Sequence, residues 1–359
     1  MLLSAMLLER QITANSNCDE WAIQSEYWID QYAKLQKPRK LRERNPNPLI
    51  LSGHGNSMRI DKGTLLIKGG FTHYPQKPIE HRYFKGDLEL PKTIMLLDGS
   101  GSLSFDVLSW LAEQSVSLIR IKWNGEIAIV CNGNGYAADQ CKVDWQRELR
   151  HNPEKRLCFT KELISRKLQN SILTLQKHLP QSDYNRKAID WAERGIAELP
   201  EKLTSLRQVR ALEGHCASAY FKAWTKLELQ WKHNSKYPIP DHWKCYRARS
   251  AVHECKSENR RASDPINAML NYAYAIKLSQ LQIEAISSGY HPMMGIMHHE
   301  ERGKPSYILD LLEPERPKVD AVILDFVQSQ KLSPADFVLT KNGTCRLSPG
   351  LAKMVAAMV

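Results

Sequence analysis

An α+β chain is expected from this sequence: a small β-rich N-terminal domain, sandwich-like with one short helix, followed by a larger all-α domain. Three observations carry the expectation. Short β-type runs punctuated by glycine fill residues 49 to about 130, apolar residues recur at three and four after residue 140, and 359 residues are enough for more than one buried core. With 42% hydrophobic and 25% charged residues, the composition is that of a globular protein and excludes wholesale disorder and a disulfide-stapled mini-protein.

Residues 1–33 set Trp21, Ile23, Tyr27, Trp28 and Tyr32 at near-helical spacing. The segment KLQKPRKLRER at 34–44 then holds six basic residues and one acid, a solvated linker or an arm for phosphates, with Lys37, Arg39, Lys40, Arg42 and Arg44 as its contacts. NPNP at 45–48 ends it, since each proline biases its predecessor away from helix. The runs PLILSGHG, SMRIDKGTLLIKGG, IEHRYFKG, TIMLLDGSG, VSLIRIKWNG and EIAIV read as strands, and FDVLSWLAEQ at 105–114 as a short helix packed on them. DGSGS at 98–102 lacks the Lys-Ser/Thr of a phosphate loop. The polar stretch NGNGYAADQ at 132–140 is read as a hinge, giving an extension at 1–48, a β-rich domain at 49–140 and a helical domain at 141–359. Helices are expected at 155–179, 184–198, 202–232, 265–288, 314–330 and 347–358.

The formal charge of +11 favours a polyanionic partner. The opening MLLSAMLL meets Glu9 and Arg10 with no basic segment before it, so no signal peptide is expected, and no run of 18 apolar residues offers a membrane span. Eight cysteines without a CxxC pair read as reduced thiols of a cytoplasmic protein.

Two regions hold the chemistry. Glu213 stands in ALEGHCASAYFKAW beside small residues that would let helices approach closely. A carboxylate buried on such a face needs a cation, whereas one on the surface needs only a local Lys or Arg. Tyr220 and Phe221 read as core. In GYHPMMGIMHHEERGKPSYILDLLEPERPKVD, His298 and His299 precede Asp310 and Glu313. If Asp310 opens a helix, the spacing of three puts both carboxylates on one face. One imidazole with two or three carboxylates suits Mn²⁺ or Mg²⁺; the competing reading is that the acids are helix caps. His242, Cys245, His253 and Cys255 have the residue types of a zinc site without a familiar spacing. Around them, Arg247, Arg249, Arg260 and Arg261 make a basic loop, in which Trp243 and Tyr246 are available to stack on an unpaired base.

Taken in order, GHGNSM, LDGSGSLSFDVLSWLAEQSVSLIRIKWNG, LISRKLQN, LEGHCASAYF, RRASDPINAMLNYAYA, GIMH and ILDLLEPERPKVD resemble the CRISPR-associated integrase family of spacer acquisition, from about residue 49 onward. The Glu-Gly before Tyr-Phe falls on Glu213, Gly214, Tyr220 and Phe221, and Asp-Pro-x-Asn on Asp264, Pro265 and Asn267. Gly-x-x-His falls on Gly295 and His298, and Asp-Leu-x-Glu on Asp310, Leu311 and Glu313. The resemblance implies Glu213, His298 and Glu313 as ligands of Mn²⁺ or Mg²⁺ and Asp310 as an essential neighbour. The reaction it implies is strand transfer of short double-stranded DNA 3′ ends into a CRISPR repeat. It also implies a homodimer, formed through the β-rich domain, that assembles with the small second CRISPR adaptation protein. The sequence departs from the family in the residues before 49 and in an apparent insertion between Phe221 and Arg261. A casposase-type transposon integrase shares the catalytic core, and a non-catalytic DNA-binding scaffold shares the basic surface.

Overall fold

In a computed structural model, the structure describes residues 19–37, 43–70, 78–122, 127–131, 139–225, 227–232, 238–249, 262–298, 304–340 and 343–359. Helix α1 (Glu20–Leu35) begins at Asp19, whose carboxylate caps the Trp21 N–H. Eight strands follow: β1 (Leu49–Ser52), β2 (Asn56–Asp61), β3 (Thr64–Lys68), β4 (Glu80–Tyr83), β5 (Thr93–Leu97), β6 (Gly101–Leu103), then β7 (Ser117–Ile121) and β8 (Ile127–Cys131) after helix α2 (Phe105–Glu113). They form two four-stranded sheets, β1-β5-β7-β8 and β4-β3-β2-β6. In the first, β1, β5 and β7 run parallel and β8 antiparallel.

The parallel strands are apolar on both faces because both faces are covered. Leu51, Ile94 and Leu118 join the core of the β-rich part, with Val107, Trp110 and Leu111 of α2. Their alternates Ile50, Met95, Leu97, Ile119 and Ile121 join the helical core. The first sheet is thus a shared floor, and the β-rich and helical parts have one continuous packing across it.

The helical part comprises α3 (Gln140–His151), α4 (Pro153–His178), α5 (Asp183–Glu198), α6 (Leu206–Ala223), α7 (Pro265–Ser287), α8 (Ser306–Leu312), α9 (Arg316–Ser329) and α10 (Pro349–Met358). Asn152-Pro153, Asp264-Pro265 and Ser348-Pro349 each place a capping oxygen before a proline at the first turn, which starts three of these helices sharply. Two expectations are corrected. The helix expected over 202–232 ends at Ala223, after which Glu228 pairs in a β-bridge with Cys245. The helical part also contains a short antiparallel ribbon, β9 (Phe337–Leu339) with β10 (Cys345–Leu347).

Helix α1 is built into the helical core. Trp28 is 1% exposed, packs on Phe326 of α9 and lies against α10 at Gly350, where a Cβ would approach the Trp28 Cβ to 3.3 Å. Asp336 accepts from Trp28 Nε1 at 2.6 Å, Gln24 Nε2 at 3.1 Å and the Ser333 N–H at 2.7 Å. Trp28→Ala is expected to cost about 3–5 kcal/mol, whereas Ile29→Ala on the exposed side of the same helix costs less than about 0.5 kcal/mol; urea denaturation reads both. Burial raises the Asp336 carboxyl to about 6 against the hydrogen bonds that lower it. The folded state therefore holds this proton more tightly than the unfolded chain. That contribution is complete below the ordinary value of 3.8 and is lost as pH rises through about 6. The stability of the protein relative to Asp336→Asn should fall by roughly 2–3 kcal/mol between about pH 4 and pH 7, measured by denaturation at each pH.

Candidate functional site

A groove of about 920 Å³ opens between β8, α4, α6, α7 and the α8–α9 junction. Three charged side chains meet in it from different elements. Glu213 projects from α6, Lys167 from α4, and Glu313 from the single 3₁₀ turn, Glu313–Glu315, that links α8 to α9. The Lys167 ammonium donates to Glu213 Oε1 and, at 2.6 Å, to Glu313 Oε2. Arg316 Nε donates to the other Glu313 oxygen at 3.0 Å. Side-chain exposure is 13% for Lys167 and 9% for Glu313, so that ion pair stands largely out of water, while Glu213 at 26% is half-buried.

Burial opposes the charge on Glu313, but Arg316 and Lys167 outweigh it and hold the carboxyl down to about 2. Burial likewise opposes the Lys167 charge, and Glu313 and Glu213 overcome it, holding the ammonium above its ordinary value. Glu313 and Lys167 are therefore both charged throughout the neutral range.

His298 lies beside this pair and contributes to lowering Glu313. Its Nδ1 is 2.7 Å from Asp310 Oδ1, and Asp310 also accepts the backbone N–H groups of Ile296, Met297 and His298 at 2.6, 3.0 and 3.0 Å. A carboxylate that already accepts three backbone N–H groups takes Nδ1 as its fourth donor and so fixes the ring orientation, with Nε2 as the other nitrogen. Gly295 makes the loop possible, since a Cβ there would fall 2.6 Å from both Ser306 Cβ and the His298 carbonyl oxygen. Asp310 is fully buried in the last turn of α8 rather than opening a helix. The carboxylate three residues on is Glu313, and the sharp turn containing Pro314 aims it at the groove.

Behind the carboxylates, Asp320 of α9 accepts the Tyr220 hydroxyl at 3.0 Å and that of Tyr274. Burial lifts Asp320 to about 6. The guanidinium groups of Arg316 and Arg249 lie over the Tyr274 ring at 4.9 and 5.3 Å. Arg249 also donates to Asn267 and Asn271 of α7 at 2.8 and 3.0 Å. This contact gives the Asp-Pro-x-Asn motif a physical role: Asp264 caps α7, and Asn267 holds Arg249 on the groove wall.

The structure brings Glu213, His298, Asp310 and Glu313 into one neighbourhood. It gives the basic candidates mixed positions. Lys37 and Arg247 are exposed, while Arg44 departs from the expected arm, its guanidinium being spent on the carbonyls of Leu90, Gln114 and Pro91 at 3.1, 2.9 and 3.4 Å. Arg39, Lys40, Arg42, Arg260, Arg261, His299, His253 and Cys255 lie outside the described residues. Trp243 and Tyr246, expected as stacking platforms, are 4% and 1% exposed. Trp243 stacks on Trp231 and donates to the Ser263 carbonyl, and Tyr246 packs on Trp224. Gly214, expected at a close helix approach, faces open space; the tight contact is at Gly195 of α5, against Leu168 and Leu212.

Sequence reading assigned no role to Lys167 or Arg316. The signal for Lys167 lay in its register: with Ile164, Leu168 and Ser171 it occupies the buried stripe of α4, where a lysine needs an acidic partner.

Among the described residues, no three His, Cys, Asp or Glu side chains already form a coordination shell. The donor chemistry nevertheless fits a hard divalent cation. A buried carboxylate, Glu313, and a half-buried one, Glu213, converge on one positive group, and an imidazole beside them is held by a carboxylate through Nδ1, with Nε2 as its other nitrogen. Among the described residues, no helix is long and apolar enough to cross a membrane.

Comparison with known proteins matches residues 49–359 to the family model of CRISPR associated protein Cas1. A "CRISPR-associated endonuclease Cas1 1" of Archaeoglobus fulgidus is 24% identical over 323 residues, 86% of each chain. One from Francisella tularensis subsp. novicida is 24% identical over 79% of this chain and 80% of its own. A Cas4/Cas1 fusion of Rhodospirillum rubrum is 28% identical over 59% of this chain, which spans only 34% of that longer protein. A casposase bound to integration product superposes with a TM-score of 0.69 at 24% identity, covering 87% of this chain and 81% of its own. A CAS1 protein from Thermotoga maritima gives 0.64 at 17%, covering 87% and 89%. Both likenesses concern the fold. With its matched region running through both sheets and every residue of the groove, this chain belongs to the CRISPR associated protein Cas1 family.

Proposed function

We propose that this protein is a divalent-metal-dependent DNA integrase and endonuclease that transfers the 3′ ends of short double-stranded DNA into a CRISPR repeat. The observation that carries the reading is the convergence of Glu213 and Glu313 on one cation beside the Asp310-held His298. The relatives from Francisella tularensis subsp. novicida and Archaeoglobus fulgidus bear the name endonuclease, and one structure of similar fold is a casposase bound to integration product. Another, at TM-score 0.65 and 17% identity, is a Cas6-RT-Cas1–Cas2 complex, which supports a small second adaptation protein as partner. In this reading the protein acts as a homodimer, two active subunits serving the two ends of the fragment.

Glu213, His298 and Glu313 hold the ion, Mn²⁺ or Mg²⁺. When bound, such an ion lowers the pKa of an attacking 3′-hydroxyl and stabilises charge on the scissile phosphate. Asp310 orients the His298 ring through Nδ1, which leaves Nε2 as the nitrogen to face an ion, and Arg316 keeps Glu313 ionised. A casposase-type integrase has the same fold; substrate choice separates the two, a CRISPR repeat in one case and transposon ends in the other.

Glu213→Gln, His298→Ala and Glu313→Gln should each lower strand transfer by at least about 100-fold, and Asp310→Asn by about 10–100-fold. DNA affinity by fluorescence anisotropy should stay close to native, because these groups neutralise no phosphate. His299→Ala should be milder than His298→Ala. Near-native transfer by any ligand variant counts against the assignment. DNA binding should also weaken steeply with salt. Arg247→Ala should flatten the slope of log K against log salt by about 1, whereas Arg44→Ala should lower thermal stability and leave that slope unchanged, because its guanidinium already serves backbone carbonyls.

A further inference from the structure

The ammonium between Glu213 and Glu313 stands where a cation bound by both carboxylates would stand. Lys167 donates to one oxygen of each, Glu213 Oε1 and Glu313 Oε2, while Arg316 occupies Glu313 Oε1 from the other side. Arg316 is the next-turn neighbour of Glu313 on the same chain segment, fully engaged with it and packed over Tyr274. Lys167 differs in kind. It reaches across from α4 on a flexible four-carbon stem that ends in a compact point charge, so it can withdraw without moving its helix.

Two carboxylates drawn together in a partly enclosed groove repel each other, and one would take a proton unless a positive charge lay between them. We propose that Lys167 is a built-in cation that holds Glu213 and Glu313 converged until the divalent ion takes its place. The inference rests on the metal reading given above. It adds that binding at this site is an exchange: the incoming ion must displace an ammonium from two carboxylate oxygens, and the displaced ammonium enters the groove where DNA phosphates would lie. No proton changes hands, because Lys167 remains charged throughout. Free of ion, the site is held ready by Lys167; with ion bound, Lys167 adds a positive charge to the phosphate side.

The test uses the full chain and MnCl₂ without DNA. Calorimetric titration compares the native protein with Lys167→Met, Lys167→Arg and Glu213→Gln. Removing the competing charge should tighten Mn²⁺ binding about tenfold in Lys167→Met, while Lys167→Arg, which keeps the charge, should bind no more tightly than native. Acylation of Lys167 by an amine-reactive reagent, read by mass spectrometry on the native protein, gives a measurement independent of whether Lys167→Met folds. The side chain should be protected without Mn²⁺ and react severalfold faster with it. Mn²⁺ binding that depends on Glu213 but is equal or weaker in Lys167→Met, or that leaves Lys167 protected, overturns the exchange and leaves the metal site standing. Absence of any Mn²⁺ uptake that Glu213→Gln removes would overturn the metal reading, and the exchange with it.

Discussion

Two acids that face each other in a partly enclosed groove both stay ionised only if a positive charge sits between them, and the architecture around Glu213 and Glu313 is arranged to meet that requirement. Lys167 comes from α4, Glu213 from α6, and Glu313 from a turn that interrupts what would otherwise be one helix from Ser306 to Ser329. None of these positions is local to another in sequence, so the cluster exists only when the helices are packed. Gly195 allows α5 to lie close against Leu168 of α4 and Leu212 of α6, each next to a member of the cluster. Asp320 ties α6, α7 and α9 together behind it through two tyrosine hydroxyls. A cavity or an unpaired group in that backing would be felt at the carboxylates, because close-packed interiors transmit displacement.

The groove is also bounded by the β-rich half. Residues 127–130 of β8 line it, and β8 is the antiparallel edge of a sheet whose parallel strands are buried on both faces. This sheet packs one alternating set of side chains into its own core and the other into the helical core. The site is therefore positioned from both halves of the molecule. Helix α1, which precedes the family-matched region, contributes to the same helical core through Trp28, so it belongs to the fold of this chain as much as the segments the family shares.

Apolar runs punctuated by glycine and period-three-to-four patterns made the elements legible: the expected runs correspond to β1–β5, β7 and β8, and α2 covers Phe105–Glu113, whereas the short polar β6 carries no such pattern. Glu213, His298, Asp310 and Glu313 were legible as candidates from residue type and order taken together with the family resemblance. What they pack against was not. The 202–232 segment kept an apolar character past Ala223 because Trp224, Leu229 and Trp231 are core residues of an irregular segment, and burial without regular hydrogen bonding leaves no period to distinguish it from helix. Trp243 and Tyr246 misled for the related reason that an aromatic residue beside arginines reads alike whether it faces a base or the core. Arg44 shows the limit of charge counting. Charge density identifies a basic segment, but whether a guanidinium meets a phosphate or three backbone carbonyls depends on which loop folds beneath it.

A chain with a net charge of +11 that gathers acids in this groove presents an electrostatic contradiction, since a positive surface favours a polyanion that the carboxylates would repel. The cluster resolves it locally. Glu213 and Glu313 carry two negative charges, Lys167 and Arg316 two positive ones, so the set is neutral as it stands and an approaching phosphate meets no net barrier. A divalent ion added to that set makes it positive at the point where charge would build up on a scissile phosphate. A carboxylate pair without Lys167 would reach neutrality only after the ion arrived. On the proposed reading, Lys167 would let the groove accept DNA before the ion, after it or together with it, because repulsion between the carboxylates and a phosphate would impose no order of arrival.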